Sequence, residues 1–234
     1  KHLIATLLLA TIDSVLAWNS EGHLLAARIA YDILQKENPQ ALQAANKMLS
    51  YYSDEITKEH EKDFPFVECI TLADDNKRRG GGWQSNWHFD DMPFIGDGSA
   101  ASKLHITYRA LNISTALPAL YEFLKFGNAN SAPVATVMKH TGSLNEAKSL
   151  ALRLFMHYVG DVHQPLHCSD RYTAEFPDGD KGGNLFALKY HYRANELHAV
   201  WDNAIYQFYN NPKRPFTQET WQQFGQVADQ LDGS

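Results

Sequence analysis

Two histidine–aspartate pairs, each four residues apart, dominate the chemistry open to this sequence: His157 with Asp161 in FMHYVGDVHQPLH, and His198 with Asp202 in ELHAVWDNAI. That spacing puts both side chains on one face of a helix, a turn apart, where they can share or bridge metal ions. His167 follows just after Pro165, which is expected to end the first of these helices. One such pair is often only a helix-surface hydrogen bond. Two pairs and a further histidine form a set, because two helices carrying one pair each can face a shared site. Imidazole and carboxylate without thiolate suit zinc, with manganese or iron as alternatives. His163 falls two residues after Asp161, off the same face, and is expected to hydrogen-bond its loop rather than bind metal.

Further candidates lie in AWNSEGH, with Trp18 and His23, and on either side of a glycine-rich loop, with Asp74 in TLADD and His88 in NWHFDD. Taken singly, each is ordinary polar sequence, and the nearby Trp83, Trp87 and Phe89 read as core.

The elements that must position these residues are mainly helical. HLLAARIAYDILQ is an amphipathic run over 23–35, entered through Gly22, and Pro39 opens a second to about Leu49. A longer pattern covers 104–126, where Pro118 is expected to kink or split it. Ser143 and Glu146 form a capping-box signature for the helix that runs into FMHYVGDVHQPLH. Another helix is expected from Glu196 to about Tyr209, and Thr217 with Thr220 begins the last. NLFALKYHY could form short strands. With no repeat, linker or low-complexity tract, the expectation is an all-α, single compact multi-helix domain with at most a short β-hairpin.

The 234 residues suffice for a substantial core, and 44% hydrophobic with 21% charged residues is a globular composition. A formal net charge of −6 excludes a generally basic surface as the means of holding nucleic acid; attraction would need a local cationic site, which bound metal ions could supply. Lys1 and His2 precede LIATLLLATI, too short to span a bilayer, and Val15 and Ala17 fit a signal-peptidase site. Residues 1–17 therefore read as a secretory leader cleaved after Ala17, a buried first helix being the alternative. No later run is long enough for a membrane span. Cys69 and Cys168 could pair in a secreted chain, although spacing alone does not bring them together. Asn112-Ile113-Ser114 is a glycosylation sequon.

Trp18 with His23 five later, then Asp74, HF.D, H...D.HQPLH, GGN and H..WD together resemble the class I single-strand-preferring nucleases, the S-one and P-one type, whose fold is shared with zinc-dependent phospholipase C. The motifs occur in the family's order from Trp18 to Asp202. The resemblance implies a nuclease domain over 18–234 with three zinc ions. Asp74, His88 and His157 would hold one, and Asp161 would bridge it to a second. That second ion would also take His23 and the α-amino group and carbonyl of Trp18; His167, His198 and Asp202 would hold the third. It further implies hydrolysis of single-stranded RNA or DNA to 5′-phosphate products, 3′-nucleotidase activity, and a base pocket formed by Phe89 and Asp91. Nucleic acid and 3′-nucleotides would be the partners, with no stable protein partner, and the protein a secreted or lysosomal-lumen monomer.

One departure concerns the position three after Asp74. The family has Arg there, near the scissile phosphate; this chain has Lys77, with Arg78 next. Lys supplies charge but no bidentate fork. Two other functions stay open at this point: a phospholipase C of the same fold, whose branch usually has Glu where this chain has Asp202, and a secreted zinc-binding protein with weakened turnover.

Overall fold

The computed structural model describes residues 18–190, 193–208 and 210–233. The expected leader over residues 1–17 lies outside them.

Ten helices follow in chain order among the described residues: α1 (Ser20–Glu37), α2 (Pro39–Leu49), α3 (Glu55–His60), α4 (Pro65–Glu68), α5 (Leu72–Asp75), α6 (Ile113–Phe126), α7 (Ala132–Lys139), α8 (Leu144–Asp161), α9 (Leu197–Asp202) and α10 (Gln218–Asp232). Helix α8 is the axis. It packs against α6 and α7 on one side and against α1 and α2 on the other, while α10 lies along α1. Two apolar clusters result. One joins Trp87, Ile113, Leu120, Phe123, Leu150, Leu154 and Tyr158; the other joins Leu24, Leu42, Leu49, Phe66, Val67, Ile70 and Phe224. No described helix is long and apolar enough to cross a membrane.

Caps decide where the helices begin. Asn19, not Gly22, opens α1, its side chain accepting from the Gly22 amide. Ser143 accepts from the Glu146 amide at the head of α8, and Thr217 caps α10. The pattern over 104–126 is not one helix. Asn112 and Thr115 form a capping box that starts α6 at Ile113, and Pro118 sits within α6 without splitting it. β-branched Ile106 and Thr107 weaken helical continuity ahead of that cap. Asn112, the sequon residue, thus spends its side chain on the cap and on a 2.5 Å bond to Asp90 Oδ1.

Three further expectations need correction. Helix α8 stops at Asp161, and Pro165 starts a separate 3₁₀ turn instead of ending the helix. Among its described residues, the run expected from Glu196 to about Tyr209 is helical over Leu197–Asp202 and stops there, because Ala204, Ile205 and Tyr206 take positive φ. In place of a hairpin, β1 (Met92–Ile95) and β2 (Ser169–Tyr172) form a parallel pair of segments far apart in sequence, Met92 opposite Ser169. Among its described residues, 184–190, NLFALKYHY contributes an isolated bridge between Ala187 and Glu196.

Cys69 and Cys168 are not joined. Cys69 is buried against Phe66, whose carbonyl accepts from its Sγ, and Cys168 Sγ turns to the Val162 carbonyl. They belong to different parts of the molecule: the α1–α4 core and the β2 entrance.

Candidate metal centre

α8 presents His157 and Asp161 on one buried face, as their four-residue spacing requires. α1 brings His23 against them, its ring stacked on that of His157 at 4.0 Å between centroids. The close approach depends on Gly160, since a Cβ there would lie 2.7 Å from His23 Nδ1. Trp18 is anchored at the same point, its indole donating to the Gly160 carbonyl at 3.0 Å. Asp74 arrives on α5 and His88 at the end of the 3₁₀ segment Gly82–His88.

The donor atoms converge. His88 Nδ1, His23 Nε2 and His157 Nε2 lie 2.7, 3.2 and 3.3 Å from the Asp161 carboxylate. Asp74 oxygens lie 3.8 Å from His88 Nδ1 and 3.7 Å from His157 Nε2. On the far side, His167 Nε2 and His198 Nε2 lie 3.9 and 3.5 Å from Asp202 Oδ1. Three triads have geometry that could hold an ion: Asp74–His88–His157, His23–His157–Asp161 and His167–His198–Asp202.

Two observations test whether a metal fits. A tetrahedral zinc with bonds of about 2.0–2.1 Å separates its ligand atoms by about 3.3 Å, close to the spacings found. In addition, His23 Nδ1 and Nε2, Asp74 Oδ1, Asp161 Oδ1 and His167 Nε2 are buried and make no hydrogen bond; His23 Nε2 faces Asp161 Oδ1 at 3.2 Å and the Lys77 ammonium meets Asp74 Oδ1 at 2.8 Å without the alignment one requires. Buried polar atoms without partners are costly, and their concentration here suits a group that takes lone pairs.

The imidazoles are oriented from behind. Carbonyl oxygens can only accept, so His157 Nδ1 donates to Ile70, His167 Nδ1 to His88 and His198 Nδ1 to Gly182, at 2.7, 2.8 and 2.7 Å. Each Nε2 is thereby aimed inward, where it offers a lone pair whenever the ring is neutral. His88 is reversed. Its Nε2 donates to Gln84 Oε1 at 2.7 Å, which frees Nδ1. Gln84 Oε1 is fixed as the acceptor because its Nε2 donates to the Ala73 carbonyl and Asn76. Gln164, also fully buried, donates to Asp202 Oδ1 at 2.7 Å.

Burial and neighbouring charges pull these groups in different directions. Burial, with the Lys77 charge, lowers His88 to about 3, and burial with neighbouring His167 lowers His198 to about 4, so both are neutral ligands near pH 7. Burial alone would also lower His157, but the Asp161 and Asp74 carboxylates outweigh it and raise it to about 9. Burial opposes ionisation of Asp161, yet His157 and His88 hold it well below the usual range. Burial, with the Asp161 and Asp74 charges, pushes Asp202 well above that range.

All eight side chains singled out as metal candidates meet in this cluster. Lys77 reaches Asp74, whereas Arg78 lies exposed on the irregular stretch Lys77–Gly81. Phe89 and Asp91 share a cavity of about 220 Å³, with the Phe89 ring 4.5 Å from that of His167. His163 is exposed and bonds back to the Val159 carbonyl. Sequence reasoning missed Gln84 and Gln164. Gln164 stood inside HQPLH, and Gln84 precedes His88 by one helical turn.

The fold is a predominantly helical domain enclosing buried, pre-oriented imidazole–carboxylate triads of a kind that could hold metal ions. The S1/P1 nuclease family model matches residues 18–232, and the chain belongs to that family. It is similar to two proteins of Arabidopsis thaliana: "Endonuclease 4", 26% identical over 199 residues (83% of this chain, 57% of the relative), and "Endonuclease 1", 23% identical over 203 residues (87% and 58%). A 55-residue stretch, 24% of this chain and 16% of the relative, is 44% identical to that plant's "Endonuclease 5". The chain thus spans a little under three fifths of the length of the first two relatives.

Proposed function

We propose that this protein is a secreted zinc-dependent nuclease that hydrolyses single-stranded RNA or DNA to 5′-phosphate products and removes phosphate from 3′-nucleotides. The observation that carries this reading is the set of three adjoining donor triads with lone pairs directed inward, in a chain of a nuclease family. Asp74, His88 and His157 hold one zinc in this reading. Asp161 would be shared with a second, toward which His23 and the Trp18 α-amino and carbonyl groups would contribute, and His167, His198 and Asp202 would hold the third. Zinc bound to such donors supplies Lewis acidity toward phosphate and lowers the pKa of water to near neutrality.

The chain's own residues do the rest. Gln84, Gln164 and the three backbone carbonyls fix the tautomer and angle of the ligands. Lys77 brings positive charge to the Asp74 side of the cluster, where a phosphate would lie in the family pattern. Phe89 offers an aromatic face to a base, and a single strand can present an unstacked base whereas a duplex cannot without melting. Cleavage after Ala17 would free the Trp18 amine. An amide nitrogen, its lone pair in resonance, cannot replace that amine as a ligand.

The test is phosphate release from a 3′-nucleotide, with and without chelator, beside hydrolysis of denatured DNA, duplex DNA and a choline phospholipid. We expect chelator-sensitive release and faster cleavage of denatured DNA. Phospholipid turnover without nucleotide turnover would favour the phospholipase reading, and no turnover of any would leave the metal-binding one.

A further inference from the structure

The cavity beside the third triad carries a recognition pattern that Phe89 and Asp91 alone do not make. Its wall also includes Arg109, from the irregular segment before α6, with Thr107, Asp170, Tyr172, Asp178, Lys181 and Asn184 farther round. Phe89 lies between this cavity and the metal cluster, with ring centroids 4.5 Å from His167 and 6.3 Å from His198. A base stacked on Phe89 would therefore sit next to a phosphate held at the cluster.

Asp91 takes φ of 54°, the left-handed region that a non-glycine residue rarely adopts. Its carboxylate is met by Arg109, with Nε 2.9 Å from Oδ2. Arg109 Nη1 is also engaged, donating to Asn86 Oδ1 at 2.6 Å. Two acceptor positions on the Asp91 carboxylate then stand beside one terminal guanidinium nitrogen, Nη2. The edge presented to a base reads acceptor, acceptor, donor.

That order is complementary to one base. The Watson–Crick edge of guanine presents the N2 amino group, N1–H and O6: donor, donor, acceptor. Adenine offers one donor and one acceptor. Uracil alternates acceptor, donor, acceptor. Cytosine reads donor, acceptor, acceptor, which would set its N3 lone pair against an Asp91 carboxylate oxygen. We propose that Arg109, paired with Asp91, makes this cavity a guanine-selective base site. The inference rests on the nuclease reading for its role in turnover, but not for binding.

Two measurements on the zinc-loaded protein test it. The first is phosphate release from 3′-GMP, 3′-AMP, 3′-CMP, 3′-UMP and 3′-IMP. KM is expected to be lowest for 3′-GMP by about 5- to 150-fold, the range for one good bidentate base contact. Inosine lacks the N2 amino group, so 3′-IMP should lose part of that advantage. Arg109→Ala should raise KM for 3′-GMP toward the value for 3′-AMP, with a smaller change for 3′-AMP itself. Arg109→Lys should restore only part, since an ammonium keeps the charge without the fork. Equal KM values across the bases, a preference for cytosine, or an Arg109→Ala effect uniform over all substrates would overturn the proposal.

The second measurement, calorimetric binding of guanosine, adenosine, cytidine and uridine, needs no turnover. Guanosine preference without phosphate release from any nucleotide would refute the reaction and uphold the base site. Indifferent or absent binding would refute the site.

Discussion

Three imidazoles converge on Asp161, which stays ionised although fully buried because His157 and His88 outweigh its desolvation. A carboxylate so surrounded has more donor partners than a core needs, and the surplus is what a bridging ligand requires. At this scale the departure at Lys77 can be tested. Lys77 Nζ lies 2.8 Å from Asp74 Oδ1 while Arg78 is exposed, so Lys77 is the cation nearest the proposed phosphate. Lys77→Ala should lower kcat on the order of 10²-fold, as loss of one charge-stabilising donor does, and Arg78→Ala should stay near wild type. The reverse ranking in steady-state kinetics would mean that the neighbouring arginine serves after a one-residue shift. The histidines and aspartates were legible in the sequence because ligand chemistry restricts residue types and α-helical spacing pairs them. Gln84 and Gln164 were not, since an amide that orients an imidazole or carboxylate carries no charge and no distinctive spacing.

Helix α8 shows what an element contributes. It gives His157 to two triads and Asp161 to one of them, and Gly160 between them leaves room for His23. Gly160→Ala is helix-compatible by propensity and should not weaken α8 itself. It sets a methyl against the His23 ring, however, and should cost the protein one metal ion, with circular dichroism unchanged. Retention of the full metal complement would show that α1 can shift to accommodate the methyl. Gly182 does a different task, with φ of 60° and its carbonyl turned to His198 Nδ1. The long helices were readable from caps and apolar period, whereas the 104–126 and 196–209 segments were not. In the first a capping box inside the apolar run overrode the pattern, and in the second three consecutive positive-φ residues broke it. The β1–β2 pair was invisible to local reading because its partners meet only once α8 has placed β2 beside β1.

In the whole molecule, the titration of the cluster couples to folding. In metal-stripped protein His88 sits near 3 and His198 near 4, both lowered chiefly by burial; His157, despite its burial, is raised to about 9 by Asp161 and Asp74. A histidine lowered from about 6.5 contributes stability present above that value and lost as pH falls toward the folded pKa. A raised one contributes stability present below about 6.5 and lost as pH rises toward 9. These three histidines alone would set the highest Tm near pH 6.5, and Asp202, raised well above the carboxylate range by burial, adds to the loss on the alkaline side. Bound metal should remove the alkaline loss, since it takes the place of the proton that His157 would release. Thermal melts with and without chelator check this, and an alkaline loss of equal size in both would count against metal at His157.

The central claim is that the clustered donors hold three metal ions, and metal content per chain tests it most directly. Protein cleaved before Trp18 should carry close to three zinc by elemental analysis, and protein retaining residues 1–17 should carry fewer, because the Trp18 amine is then an amide. A cleaved protein that binds no zinc would contradict the account.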